Sequence, residues 1–282
     1  MGKDNSLIGR AKQSYQSNSV PEFISRCGSY AYRTVSTAIS DRFKFPRQHT
    51  WELAGTSATF HVESTSEFDS LERTIGPEEQ PLKTFIEAAT DGDTLFDIGA
   101  HLGVYSCFIG NAATMDAIYA FEPHPANVEQ LQRNLEINEI EADVVDLALS
   151  NEAGATELLL NENTGELEAT LVTTEESRQK NTVQIETITG DDFVVEEETG
   201  IPDLVKIDVE GEEYEVIDGL ASTLMEEDCR LVYCEIHERG GTGDVQSRGH
   251  ERTDVIERLR EFGFEISEVD VYDGGTQILG RK

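Results

Sequence analysis

The chain has 282 residues, 38% of them hydrophobic, and its 22 Lys and Arg against 56 Asp and Glu leave a formal charge of −34. That length holds one large domain, or a domain with an appendage, and no run of about 18 apolar residues offers a membrane span. The charge argues against nucleic acid as a partner, because phosphates are repelled. With 15 Arg to 7 Lys, it reads as adaptation to a salt-rich cytoplasm, where screening over about 3 Å at 1 M salt removes most self-repulsion.

Residues 1–50 carry eight Lys and Arg against three Asp and Glu, a net +5, which leaves −39 on residues 51–282. Apolar residues recur at three- and four-residue spacing through VPEFISRCGSYAYRTVSTAISDRF, and Pro21 suits a first helical turn. Residues 1–50 are therefore expected to form a helical extension, and residues 51–282 the main domain. The apolar stripes and positive charge of residues 1–45 predict docking, on the acidic domain, on another copy or on an anionic membrane face. The start, MGKDNSLIGRAK, lacks the apolar segment of a secretory signal. It fits the loose Met-Gly-x-x-x-Ser myristoylation pattern. The expected place is the cytoplasm, with the inner membrane face as the alternative; the oligomeric state is left open.

TWELAG and ATFHVES alternate around a Gly-Thr-Ser turn and predict a hairpin, and Pro77 opens a helix to about Ala89. From there strands alternate with helices, the pattern of a parallel α/β sheet. The predicted strands are TLFDIGA, AIYAFEP, ADVVDLALS, ATELLL, TVQIET, PDLVKID and CRLVYCEIHE, with EISEVDV and TQILG as a closing hairpin. Helices are expected from Gly103 to Ala112, from Pro125, after Gly211 and through ERTDVIERLREFGF. The polar stretch from Asn161 to Asn181 has no clear period. Cys27, Cys107, Cys229 and Cys234 form no C-x-x-C pair and read as reduced thiols.

The strongest chemical signal is Asp97-Ile-Gly-Ala-His-Leu-Gly103 at the end of the first parallel strand. Gly99 and Gly103 permit backbone conformations and close approach that side chains block, and the following helix turns its first amides to a ligand. A dinucleotide fold wants G-x-G-x-x-G for a pyrophosphate. Here the loop is D-x-G-x-x-x-G, and an acid in front repels pyrophosphate but attracts an ammonium, as in S-adenosylmethionine. Glu122, in AFEPHP, ends the second strand, where an acid accepts from ribose hydroxyls. Asp146, with Ala148, ends the third and suits an adenine amino group.

Lys206-Ile-Asp208-Val-Glu210 places three charged residues on one face if the strand runs that far. One reading is a Lys206–Asp208 pair tying the strand to its neighbour; the other puts Asp208 at the ligand pocket. Glu235 and His237 share a face at the end of the next strand, and His is suited to proton transfer near neutral pH.

FDIGAHLGVYS, AFEPHPANVEQLQRNLEIN, LALSNEAG, KIDVEGEEYEVIDGL and CEIHE together resemble the FkbM family of S-adenosylmethionine-dependent methyltransferases, over roughly residues 75–240. The family usually has Asn where this chain has His101. The resemblance implies a class I methyltransferase fold: a Rossmann-like, doubly wound α/β sheet of about seven strands, the last antiparallel. It implies that Asp97, Gly99, Ala100, His101, Gly103 and Tyr105 line the methionine side of S-adenosylmethionine. Glu122 with Pro123 would hold the ribose, and Asp146 and Ala148 the adenine. Asp208 and Glu210 would stand at the catalytic edge, Asp208 also against the cofactor, with Glu235 and His237 opposite. It further implies O-methylation of a hydroxyl on a sugar, glycan or related metabolite, with a non-sugar acceptor or a non-catalytic cofactor-binding scaffold as alternatives. His237 is the first choice of base and Asp208 the second. No metal is assigned; a hard ion on Asp208, Glu210 and Glu235 with an acceptor diol is the alternative.

Overall fold

The computed structural model describes residues 48–76, 80–160, 169–171, 182–238, 244–272 and 274–282. The helical extension, its docking and Cys27 lie outside the described residues. In chain order the elements are β1 Gln48–Leu53, β2 Thr56–His61, α1 Thr65–Thr74, α2 Gln80–Ala88, β3 Thr94–Ile98, α3 Val104–Ala112, β4 Ala117–Phe121, α4 Pro125–Ile137 and β5 Asp143–Val145. Then come β6 Ala148–Leu149, β7 Gly154–Leu160, β8 Ala169–Leu171, β9 Thr182–Ile188, α5 Gly190–Glu196, β10 Leu204–Ile207, α6 Glu213–Gly219 and α7 Ala221–Met225. The chain closes with β11 Leu231–His237, α8 Arg252–Glu261, β12 Glu265–Tyr272 and β13 Gly275–Arg281. No described helix is long and apolar enough to cross a membrane.

The seven-stranded sheet runs β12-β13-β11-β10-β3-β4-β5. β11, β10, β3, β4 and β5 are parallel, and β13 is antiparallel to both of its neighbours. The doubly wound sheet and antiparallel last strand expected from the sequence are present. Strand order reverses between β3 and β10, and the crevice outside their carboxyl ends is where such sheets take ligands.

Two local expectations change. ADVVDLALS is split: Asp143–Val145 joins the central sheet, while Ala148–Leu149 pairs parallel with β9 in a second sheet, β6-β9-β7-β8. The β1–β2 turn is only Ala54-Gly55, at φ 50° and 84°. A two-residue hairpin turn with both central residues at positive φ matches strand twist, so Thr56 and Ser57 join β2.

Period two divides the central strands. Phe96 and Ile98 enter a core with Phe121, Val205, Ile207, Val216, Leu220, Val255 and Leu259, where the Phe96, Phe121 and Phe193 rings meet edge-on at 4.8–6.0 Å. The opposite face carries a row in register: Ala120, Asp97, Lys206 and Tyr233. Tyr105 of α3 stacks on Tyr233 at 5.7 Å over that row. One turn apart, Asn138 at the C-cap of α4 and Asn134 within it accept from the Thr59 and His61 amides at 2.8 and 2.9 Å. Asn134 also donates to Leu102 O at 2.9 Å. One buried amide thus ties the β2 backbone to the loop after β3, meeting polar groups that burial would otherwise leave unpaired.

Candidate active site

The loop after β3 takes its shape from both neighbouring strands. Gly99 N and Ala100 N donate to Phe121 O at 3.0 and 2.9 Å, and Ala100 is buried. Gly99 sits at φ +74°, and a Cβ there would stand 1.9 Å from Asp208 O. The approach of the β3 and β10 tips requires glycine at this point. His101, at φ 50°, donates its amide to Glu122 Oε2 at 2.9 Å. Gly103 caps α3 in the left-handed region, and a Cβ there would meet Leu131 of α4 at 2.5 Å; its role is close packing.

Glu122 follows β4 directly. Its Oε1 accepts from His124 N at 2.8 Å and from Asn127 Nδ2 at 3.2 Å. Burial pushes its carboxyl above the ordinary range, against the hydrogen bonds from His124, His101 and Asn127. Gly99, His101, Glu122, Pro123, Asn127, Ala148, Asp208 and Glu210 all line one cleft at the switch point, whose space, open mouth included, is about 800 Å³. Ile98, Phe121, Leu147, Leu149, Leu158 and Val209 supply its apolar wall. With Glu212 the wall holds four carboxylates, and no Lys or Arg is among its described residues. A pyrophosphate finds no cation there, whereas a ligand carrying an ammonium and a sulfonium finds opposite charge.

Five expected contacts are outside the cleft lining, the buried Ala100 and the close-packed Gly103 among them. Asp97 is 0% exposed. Its Oδ2 accepts from Ser106 N at 3.1 Å and Ser106 Oγ at 2.7 Å, and Oδ1 lies 3.4 Å from Lys206 Nζ. It fastens β3 to α3 and β10 beneath the loop and is not part of the cleft wall. Tyr105 is buried in its stack with Tyr233, also off the wall. Asp146, in the break between β5 and β6, is exposed and outside the lining, while Ala148 is within it.

β10 ends at Ile207, so Asp208 and Glu210 lie in the loop beyond it, with Glu210 at φ 50° and Gly211 at φ 100°. Lys206 Nζ donates to the Ile98 carbonyl at 3.2 Å and to the Gly99 carbonyl, and stands 3.7 Å from Asp208 Oδ2. Asp208, a third exposed at its side chain, lines the cleft, whereas the partner that ties Lys206 to the neighbouring strand is Asp97 of β3 and not Asp208, which lies two residues on in the same segment. Burial opposes the Lys206 charge, but Asp97 and Asp208 raise its pKa overall.

His237, at the tip of β11, is 3% exposed. Its Nδ1 lies 2.6 Å from Oε1 of buried Glu213, which also accepts from Gly211 N at 2.9 Å. Its Nε2 faces Glu210 Oε1 at 3.5 Å and Asp208 Oδ1 at 3.9 Å. Burial disfavours a charged ring here. The Glu213 hydrogen bond and the charges of Glu213, Glu210 and Asp208 outweigh it and push the pKa up to about 10. The ring therefore keeps its proton near neutral pH. The ionisation expected in the ordinary His range moves upward, and His237 is not a ready base without a further change. Glu235 accepts from the hydroxyls of Tyr233, at 3.0 Å, and Tyr272. Burial, and then Asp208, raise its pKa.

The residues that sequence reasoning missed are those that hold the visible ones. Ser106, Asn127, Asn134 and Glu213 carry no signal of their own, and Glu213 is one acid among four in EGEEYE. Glu212, on the cleft wall, pairs with Arg248 across 36 residues of chain. The three described cysteines, Cys107, Cys229 and Cys234, are free and buried, as expected.

The Methyltransferase FkbM domain profile matches residues 97–266. The hexuronic acid methyltransferase AglP of Haloferax volcanii is 29% identical over 187 residues, which cover 66% of this chain and 73% of that protein. Among solved structures, methyltransferase FkbM from Methylobacillus flagellatus aligns with a TM-score of 0.46 at 14% identity, over 68% of this chain. The match spans 44% of that longer chain. Precorrin-6y C5,15-methyltransferase from Geobacter metallireducens aligns with a TM-score of 0.47 at 15% identity, over 79% of this chain and 94% of that one.

Proposed function

The chain belongs to the FkbM methyltransferase family, whose methyl donor is S-adenosylmethionine, and we propose that it methylates a hydroxyl of a sugar or glycan acceptor. The observation that carries the cofactor part of this reading is the cleft at the switch point of the sheet, with four carboxylates and no Lys or Arg among its described residues; the acceptor part rests on the family match. Similarity to a hexuronic acid methyltransferase supports a sugar acid as the acceptor class.

When bound, S-adenosylmethionine supplies a methyl group on a positively charged sulfur that leaves as a neutral thioether. Glu122 is held by three donors with its carboxylate on the cleft wall and receives the ribose hydroxyls. The apolar wall of Phe121, Pro123, Leu147, Ala148, Leu149 and Leu158 receives the base. Gly99 and His101 shape the loop against the methionine part. Asp97 acts from below, through Lys206 and Ser106, as a positioning residue.

The acceptor hydroxyl sits at the Asp208–Glu210–His237 edge. Asp208 is the carboxylate that takes the hydroxyl proton, since it lines the cleft at this edge while His237 is buried behind it. His237, locked by Glu213, orients that carboxylate. This reverses the sequence ranking of the two, because the buried ring is already protonated. Fixed alignment of acceptor oxygen and methyl carbon supplies much of the acceleration.

The test is incubation of the full chain in molar salt with labelled S-adenosylmethionine and hexuronate-containing oligosaccharides. The expected product carries one added methylene in mass, as an ether that survives mild alkali. Cofactor binding without transfer to any sugar overturns the acceptor class. A methyl group released by mild alkali places it on a carboxylate and overturns the hydroxyl assignment.

A further inference from the structure

We propose that Asp208, Glu210 and His237 form a divalent-cation site at the acceptor edge of the cleft, taking a Mn²⁺-like ion that accepts both oxygen and imidazole ligands. One donor atom from each of the three lies within 4.8 Å of the others. The distances from His237 Nε2, 3.5 Å to Glu210 Oε1 and 3.9 Å to Asp208 Oδ1, exceed the roughly 2.7–2.9 Å of a charge-assisted hydrogen bond. They fall between the two donor spacings around one octahedral ion, so a small closing of the side chains seats it. Ligands at about 2.1 Å stand roughly 3.0 Å apart when adjacent and about 4.2 Å apart when opposite.

A second feature is independent of the acids. His237 is buried, its Nε2 faces the two carboxylates, and its Nδ1 is held at 2.6 Å by Glu213. A carboxylate on the far nitrogen is the arrangement that fixes the ring orientation of a metal-bound histidine. Glu213 is itself fixed by Gly211 N, in the left-handed loop that also places Glu210. The ion takes the place of the proton that the metal-free ring holds on Nε2, and the resulting set of two carboxylates and one neutral imidazole suits Mn²⁺ and its neighbours better than an all-oxygen ion such as Ca²⁺. It corrects the set considered from sequence: His237 replaces Glu235, whose oxygens are taken by Tyr233 and Tyr272.

Three protein ligands leave coordination positions open on the cleft side. Their use rests on the sugar-acid reading above: neighbouring oxygens of the acceptor complete the shell, and the ion joins an anionic sugar to a wall of carboxylates. Binding of the ion itself does not depend on that reading.

The experiment uses the full chain, freed of metal by chelation and held in molar KCl to suppress loose binding to surface acids. Mn²⁺ alone is titrated and followed by electron paramagnetic resonance. One saturable equivalent is expected, with nitrogen modulation of the bound-ion echo from His237. Glu210→Gln, a partly exposed position, should weaken Mn²⁺ at least tenfold while the melting temperature stays near wild type. Asp192→Asn, at an exposed acid on α5, should change nothing. Absence of saturable binding, absence of nitrogen coupling, or equal affinity in Glu210→Gln overturns the site. Methyl transfer to sugar that persists in excess chelator overturns only its catalytic use. Mn²⁺ binding without any methyl transfer overturns the acceptor reading and leaves the ion site standing.

Discussion

The two sides of the switch point are built by different means. On the β3–β4 side the loop is held by backbone: Gly99 and Ala100 amides on Phe121 O, the His101 amide on Glu122, and Gly99 pressed against Asp208 O. Side chains there are mostly apolar, and the acid of the loop motif, Asp97, is buried beneath it. On the β10–β11 side the geometry is carried by charged side chains: Lys206 between Asp97 and Asp208, and His237 among Asp208, Glu210 and Glu213. A surface made by backbone and apolar wall grips a cofactor of fixed shape. An edge made of ionisable groups moves protons and holds charge. Mutations on the two sides should therefore separate binding from turnover.

The sharpest separation is expected at Asp208. Asp208→Asn keeps shape but removes a proton acceptor, and positioned bases contribute roughly 10²–10⁴-fold. Turnover at saturating cofactor should fall by that range, with the dissociation constant of S-adenosylmethionine within a few-fold of wild type. A variant that keeps most of its rate would break the assignment of chemistry to this side.

Next in size is Asp97, which connects the sides. Asp97→Asn leaves Lys206 buried with half its compensation, and breaking a buried ion pair costs about 3–5 kcal/mol. Denaturant unfolding should show that loss. If stability is unchanged and only cofactor affinity drops, Asp97 is a direct ligand contact and its buried geometry misleads.

Glu122 belongs to the binding side alone. Hydrogen bonds with a charged partner are worth about 1.5–3 kcal/mol, so Glu122→Gln should weaken S-adenosylmethionine roughly ten- to hundredfold by calorimetry. Turnover at saturation should change little. Comparable losses in both would erase the distinction between the two sides.

A different readout distinguishes the sides by pH. In chelator-treated protein the His237 pKa is raised from 6.5 to about 10. A raised folded-state value stabilises fully below the unfolded value and loses that contribution as pH rises through the folded one. Melting temperature should therefore decline from about pH 6.5 towards pH 10, and His237→Gln should lose this component of the slope. Equal slopes would show that the ring is not charged in the folded state.

Salt sharpens the comparison least, because it acts on the whole surface. Self-repulsion among the acidic residues should lower the melting temperature when salt falls from about 3 M to about 0.1 M. A flat curve would remove the salt-adapted reading.

Much of this was legible in the sequence because it depends on local rules. Strand–helix alternation, the glycines of FDIGAHLG and the acid of AFEPHP are short-range patterns, and they located the parallel strands and the cleft. ADVVDLALS reads as one strand because its apolar run is continuous. Only pairing with β9 in a separate sheet turns Ala148 into the cleft and leaves Asp146 outside it. Helix α1 was missed because its sequence, TSEFDSLERT, is mostly polar.

By itself the sequence determined the order of the elements, the charge of the surface and the residue types available at each strand tip. These follow from periodicity and composition, which need no contacts. The tertiary structure decided what each acid does. Asp97, Glu122, Asp208, Glu210 and Glu213 are the same two chemical groups in sequence. A carboxylate buried against Lys206 and Ser106 anchors the sheet, whereas one left beside the cleft can meet a ligand. Burial and the partner across the sheet make that difference, and both are set by register between strands that lie far apart in the chain. Lys206 meets Asp97 across 109 residues only because β10 lies beside β3 in parallel register. His237 acquires its charge from Glu213 only because α6 begins beneath the tip of β11.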